Sequence, residues 1–189
     1  MRKWYVAAMV GLLWTVSGAA AQKTSTGGGK EEFTALAVNM APMTQATTTP
    51  VDITITQWTS DAERDRLMTI LKEKGPDELL KAIEKEPKVG YIRSRSSLAY
   101  DLRYARQLPG EDGGRRIVLG TDRPIGFLEA QNGGQSLDYR FTLIELRIGP
   151  DGKGEGKLSL ATRPMFNDNV LVIEDYATEP VRLQDVRKR

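Results

Sequence analysis

VDITITQWTSDAERDRLMTILKEKGPDELLKAIEKEPKVGYIRSRSSLAYDLRY, residues 51–104, is the stretch that decides the fold. It opens on strict alternation, with Val51, Ile53 and Ile55 set against Asp52, Thr54 and Thr56. Period two in β-branched residues predicts a half-buried strand. Ser60 stands three residues before Glu63, the spacing of a capping box, and Asp61 places negative charge at the positive end of a helix dipole. The helix that follows carries Leu67, Met68, Ile70 and Leu71 as its apolar stripe and leaves Arg64, Asp65, Lys72 and Glu73 in water. Gly75 is expected to end it in a left-handed conformation, and Pro76 to begin a second helix with Leu79, Leu80 and Ile83 on its buried side. Pro87 stops that helix. Neither is long enough to be stable alone, so both must lie on a sheet. VGYIR (89–93) and LAYDLRYA (98–105) return to strand, the second with Leu98, Tyr100, Leu102 and Tyr104 on one face.

Working outward, FTALAV (33–38) reads as a first strand pairing with 51–58, and residues 39–50 as a loop. Downstream, the turn Pro109–Gly114 joins the 98–105 strand to RRIVLG (115–120). PIGFLE (124–129) reads as a short strand, and Gln131–Gly134 as a turn. LDYRFTLIELRI (137–148) is the longest strand candidate, and its apolar residues change face partway along. Such a switch predicts a bulge, a bend, or a strand covered on both sides. GPDGKGEG (149–156) reads as a loop, followed by KLSLAT (157–162), VLVIEDY (170–176) and VRLQDV (181–186) as further strands. The expected fold class is α+β: an antiparallel, meander-rich sheet or barrel of about eight to ten strands with a two-helix insertion near the N-terminus.

The first 21 residues follow the order of a secretory signal: Arg2 and Lys3, an apolar run over Trp4–Val16, and the small residues Ala19–Ala21. Residues 1–21 are therefore expected to be cleaved, 22–31 to be a flexible mature N-terminus, and 32–189 to form a single domain of an exported (periplasmic or secreted) protein. No Cys follows the apolar run, which removes a lipoprotein anchor. No membrane span is expected after cleavage. Of 27 basic and 25 acidic residues, loss of Arg2 and Lys3 leaves 25 of each. Nucleic-acid binding thereby loses its electrostatic support.

The chain holds neither Cys nor His. Ser-His-Asp and Cys-His mechanisms are excluded, together with zinc and copper sites built on those ligands. No metal site and no cofactor is expected. Asp151–Gly156 resembles the opening of a calcium loop, but Lys153 sits where a ligand should, and Thr162 where a bidentate Glu is needed. It reads as hairpin turn chemistry.

Asp101, Glu129 and Glu145 are the acid/base candidates left, and a glycosidase-type pair would have to face each other across a sugar. Basic residues gather between Lys88 and Arg123, interleaved with Tyr91, Tyr100 and Tyr104. Tyr100, Arg103, Tyr104 and Arg123 are the ligand-binding candidates, since an Arg fork suits an anion. Cross-strand Arg–Asp pairs would use the same residues structurally. Trp58 serves either as a stacking platform or, more commonly, as core.

QWTSDAERDRL, VGYIRSRSSLAYDLRYARQLP, DRPIGF, YRFTLIELRIGPDGKGEGKLSLAT and EPVRL together resemble a group of uncharacterised secreted bacterial proteins. The resemblance implies a single exported domain and carries no activity or site residue with it. The order of strand, helix pair and hairpin-linked strands is also similar, in topology alone, to intracellular lipid-binding barrels. The leading expectation is a non-catalytic binding or interaction module, its partner an envelope protein or a small ligand. A barrel-like carrier of a small apolar or anionic ligand is the alternative, and a carboxylate-dependent hydrolase the third.

Overall fold

The computed structural model describes residues 29–39, 47–95, 97–110, 113–123, 125, 141–167, 170–175 and 181–189. The signal-like segment 1–21, the 124–129 strand apart from Ile125, the 131–134 turn and the start of the 137–148 strand lie outside them. No helix among the described residues is long and apolar enough to cross a membrane.

Among the described residues nine strands and two helices run in the order β1 (Glu31–Asn39), β2 (Thr47–Ile55), α1 (Asp61–Lys74), α2 (Pro76–Glu84), β3 (Gly90–Ser94), β4 (Tyr100–Pro109), β5 (Arg115–Thr121), β6 (Phe141–Ile148), β7 (Lys153–Asn167), β8 (Val170–Asp175) and β9 (Val181–Lys188). All pairings are antiparallel. The sheet order β6-β5-β4-β3-β2-β1-β9-β7 returns to β6 through a further β6–β7 pairing, closing an eight-stranded barrel. Thr162 pairs with Phe141 of β6 on one side and with Asp175 of β8 on the other. β8 thus continues the edge of β7 that β9 occupies lower down.

Closure at eight strands leaves an interior just wide enough for side chains to fill. The alternation read in residues 51–55 aims Val51, Ile53 and Ile55 inward, where Phe33, Ile92, Leu102, Ile117, Leu119, Ile144, Leu146, Leu158 and Leu183 meet them in one apolar cluster. Burying each of these contributes about 1.5–3 kcal/mol. Among the described residues these inward side chains form one packed core, and Trp58 belongs to it. A ligand inside the barrel, the expectation drawn from topology, would have to displace these side chains.

One mouth is closed by charge. Glu31 faces Arg115 in a two-pronged ion pair, at 2.6 and 2.9 Å, with the Lys188 ammonium 3.5 Å away and the Gln107 amide oxygen accepting from the same guanidinium. The guanidinium also stands over the Phe33 ring. Burial alone would raise the Glu31 carboxyl, but Arg115 and Lys188 outweigh it and hold the group below the ordinary carboxylate range. A depressed folded value stabilises the protein fully above the unfolded-state pKa of about 4.3 and is lost as pH falls through the folded value. The backbone and side chain of Ser60 depress Glu63 in the same sense. Urea midpoints are therefore expected to fall on acidification into the carboxylate range. Glu31→Gln should cost about 1.5–3 kcal/mol at pH 7 and flatten part of that slope. A variant whose stability follows pH as steeply as the parent would show that the pair does not close the mouth.

Several local expectations need correction. The capping box of α1 forms as read, with Glu63 N–H donating to Ser60 Oγ at 3.2 Å and Ser60 N–H to Glu63 Oε2 at 2.7 Å. Gly75 takes φ +85° but ψ −178°, a positive-φ extended conformation rather than a left-handed helical one. Its chain direction lets Pro76 begin α2 immediately. Ile70 is only half-buried, because the seam is carried by Leu67 and Leu71. Thr47–Pro50, read as loop, extend β2; Pro50 lies beyond the last β2–β3 pair at Val51, where its missing N–H costs nothing. Lys153–Gly156 belong to β7, so the turn shrinks to Gly149–Gly152.

The strand at 98–105 departs most. β4 begins at Tyr100, and a bulge between Leu102 and Tyr104 turns Leu102 and Ala105 inward while Tyr104 points out. Leu98, outside the strand, is 89% exposed. The bulge has a use. Ala105 N–H donates to Thr59 Oγ1 at 3.0 Å and Ala105 C=O accepts from Thr59 N–H at 2.8 Å, pinning the start of α1 to the barrel wall.

Candidate functional site

The helix pair lies across the outside of the barrel. Leu67, Leu71, Leu79, Leu80 and Ile83 form a second apolar cluster with Phe141, against which Tyr104 and Met68 pack. The outer face of β4–β7 therefore needs apolar residues too. It supplies them in rows fixed by register: Tyr104–Gly120–Leu143–Ser159, then Arg106–Val118–Glu145–Lys157, then Leu108–Arg116–Arg147–Glu155. The face switch read in β6 comes from cover on both sides: Phe141 and Leu143 face the helix pair and its groove, and Ile144, Leu146 and Ile148 the barrel core, while the register shift opposite Phe141–Leu143 places its extra residue on β7.

The helices cover only part of this wall. Between them and it lies a groove of about 540 Å³, within the ~300–1,000 Å³ typical of small-molecule sites. Its apolar lining includes Met68, Leu108, Val118, Phe141 and Leu143. Gly120 leaves room beside Tyr104 and Leu143 where a side chain would stand. Burial raises the Tyr104 hydroxyl, so the ring stays a neutral phenol. The rim is cationic, with Arg64, Arg106, Arg116 and Lys157 against the single carboxylate Glu145. Arg64 is held by Asp65 and Arg106 by Asp61.

Of the candidates read from sequence that lie among the described residues, Tyr104 and Glu145 line this groove and the others do not. Asp101 is bound by the Lys88 ammonium at 2.7 Å, and Glu145 accepts from Arg147 at 3.1 Å. From register and strand spacing these two carboxylates lie on the order of 20 Å apart, well beyond the ~9.5 Å upper limit for a glycosidase pair. Glu129 is outside the described residues. Tyr100 packs against the barrel core with the Arg123 guanidinium 5.6 Å from its ring centre. Arg103 donates to Asp122 at 3.1 Å and to the Glu86 carbonyl at 3.0 Å, tying β4 to the end of the helix pair.

The basic stretch between Lys88 and Arg123 thus resolves largely into pairs: Lys88–Asp101, Arg93–Asp52, Arg103–Asp122, Arg106–Asp61 and Arg115–Glu31. No group of metal-ligating side chains occurs among the described residues. Asp151, first in the calcium-like loop, instead accepts the Lys153 N–H at 3.1 Å. Sequence reasoning missed Val118, Leu143 and Lys157 as site residues. Only the alternation in RIVLG, apolar on both faces, hinted that this wall was covered. Compared with models of protein families, with curated proteins and with solved structures, the chain matches none.

Proposed function

We propose that this protein is a non-catalytic binding module acting outside the cytoplasm, and that its ligand surface is the groove between the helix pair and the outer barrel wall. The charged, apolar and small segments of residues 2–21 support export. The observation that carries the binding reading is the half-covered apolar wall itself. Leu108, Val118 and Leu143 project outward into a space of about 540 Å³ that the helices roof without filling. An apolar wall left open to water is unfavourable unless something occupies it. Asp101 and Glu145 do not form a catalytic pair, because each is neutralised by a neighbouring cation and they lie far apart.

The neutral fluorescent probe N-phenyl-1-naphthylamine should brighten on binding the folded protein. Val118→Trp, which places an indole in the groove from a half-exposed position, should weaken that binding about tenfold or more, 1.4 kcal/mol, with little change in melting temperature. A folded protein that leaves the probe dark would overturn the reading.

A further inference from the structure

The apolar groove does not end at its rim. Beyond β6 the outer wall carries a second, polar depression of about 420 Å³, lined by Glu145, Arg147, Glu155, Lys157, Arg182 and Gln184. The two spaces share Glu145 and Lys157, so they adjoin along β6 and β7. Within the polar one, Lys157 stands directly opposite Arg182 in the β7–β9 register. Like charges opposed across a strand pair destabilise a sheet. Among the described residues neither cation has a carboxylate in ion-pair contact, whereas Arg147 is held by Glu145. Counting its three cations against Glu145 and Glu155, the depression carries one net positive charge.

An apolar trough opening onto a depression of net positive charge, in which Lys157 has Glu145 opposite it on one side and Arg182 on the other, has the shape of an amphiphile. We propose that the ligand is a single-chain carboxylate, its alkyl chain along Leu108, Val118 and Leu143 and its head between Lys157 and Arg182. The head would relieve the Lys157–Arg182 repulsion and accept charge-assisted hydrogen bonds, which are about twice as strong as neutral ones. Glu145 lies between Val118 and Lys157 in the same row and repels the head, an opposition that its bond to Arg147 lessens. This assignment rests on the groove being the ligand surface.

The experiment displaces N-phenyl-1-naphthylamine with laurate, 1-dodecanol and dodecyltrimethylammonium, three ligands of one chain length and different heads. Laurate is expected to bind about tenfold more tightly than dodecanol, a preference that shrinks at 1 M salt as exposed charges are screened. In Lys157→Gln/Arg182→Gln the ratio of those two affinities should fall to about one. A merely damaged groove would weaken both ligands and keep the ratio. Equal binding of laurate and dodecanol by the parent protein, or a preference for the ammonium, overturns the carboxylate subsite and leaves the apolar groove standing. Failure of the probe and of every chain to bind overturns both.

Discussion

Leu71→Asp is expected to destabilise the protein by about 4 kcal/mol or more, and the neighbouring Ile70→Asp by only ~1 kcal/mol. Leu71 is 2% exposed and sits in the apolar seam by which the helix pair meets the barrel. A carboxylate there has no partner and must either remain charged in an apolar seam or take up a proton, and either outcome belongs to the costliest class of substitution. Ile70 is half-buried beside Arg66, Lys74 and Lys81, where an introduced carboxylate stays hydrated and near cations. Urea unfolding of the two variants separates them. Equal losses would mean that α1 is rotated from the seating described, which would also misplace Met68 and the roof of the groove.

Gly154→Ala should be nearly as damaging, by about 3 kcal/mol or more, for a different reason. A Cβ at this position would lie 1.8 Å from the Arg147 carbonyl oxygen and 2.8 Å from its carbon. Those are backbone atoms of β6, and Gly154 pairs with both Ile148 and Val186, so neither flanking strand is free to give way. The β6–β7 seam is the one that closes the barrel. Overpacking it forces the ring to open locally or the strands to shift register. Gly120→Ala is the matched comparison. Its Cβ would meet Tyr104 Cβ at 3.4 Å and Leu143 Cδ2 at 3.7 Å, ordinary contacts, so its melting temperature should stay close to that of the parent. Similar losses for the two glycines would contradict the close approach of β6 and β7.

The elements most legible in the sequence were those fixed by local chemistry. Ser60, Glu63, Gly75 and Pro76 specify helix ends through interactions within a few residues, and the structure puts the ends there, with Gly75 extended at positive φ instead of left-handed helical. The inward set Val51, Ile53 and Ile55 was equally plain, since period two needs no partner to be recognised. Bulges were less so. The shift between Leu102 and Tyr104 is held by Thr59, more than forty residues away, and nothing within LAYDLRYA announces it. The groove was the least legible. Val118, Leu143 and Lys157 belong to three strands and become neighbours only once the β5–β6–β7 register is set. Arg103 and Asp101 drew notice as charged residues among tyrosines, yet their partners Asp122 and Lys88 are structural ones supplied by neighbouring segments.

In the binding module proposed above, the outer groove, and not the barrel interior, receives the ligand. Titrating the ¹⁵N-labelled protein with N-phenyl-1-naphthylamine and following its amide resonances tests this most directly. Shifts are expected at Met68, Tyr104, Val118 and Leu143, which line the groove, while the amides of Ile53, Ile92 and Val186, whose side chains fill the core, stay in place. Shifts concentrated at Ile53, Ile92 and Val186, with the groove amides unmoved, would contradict it.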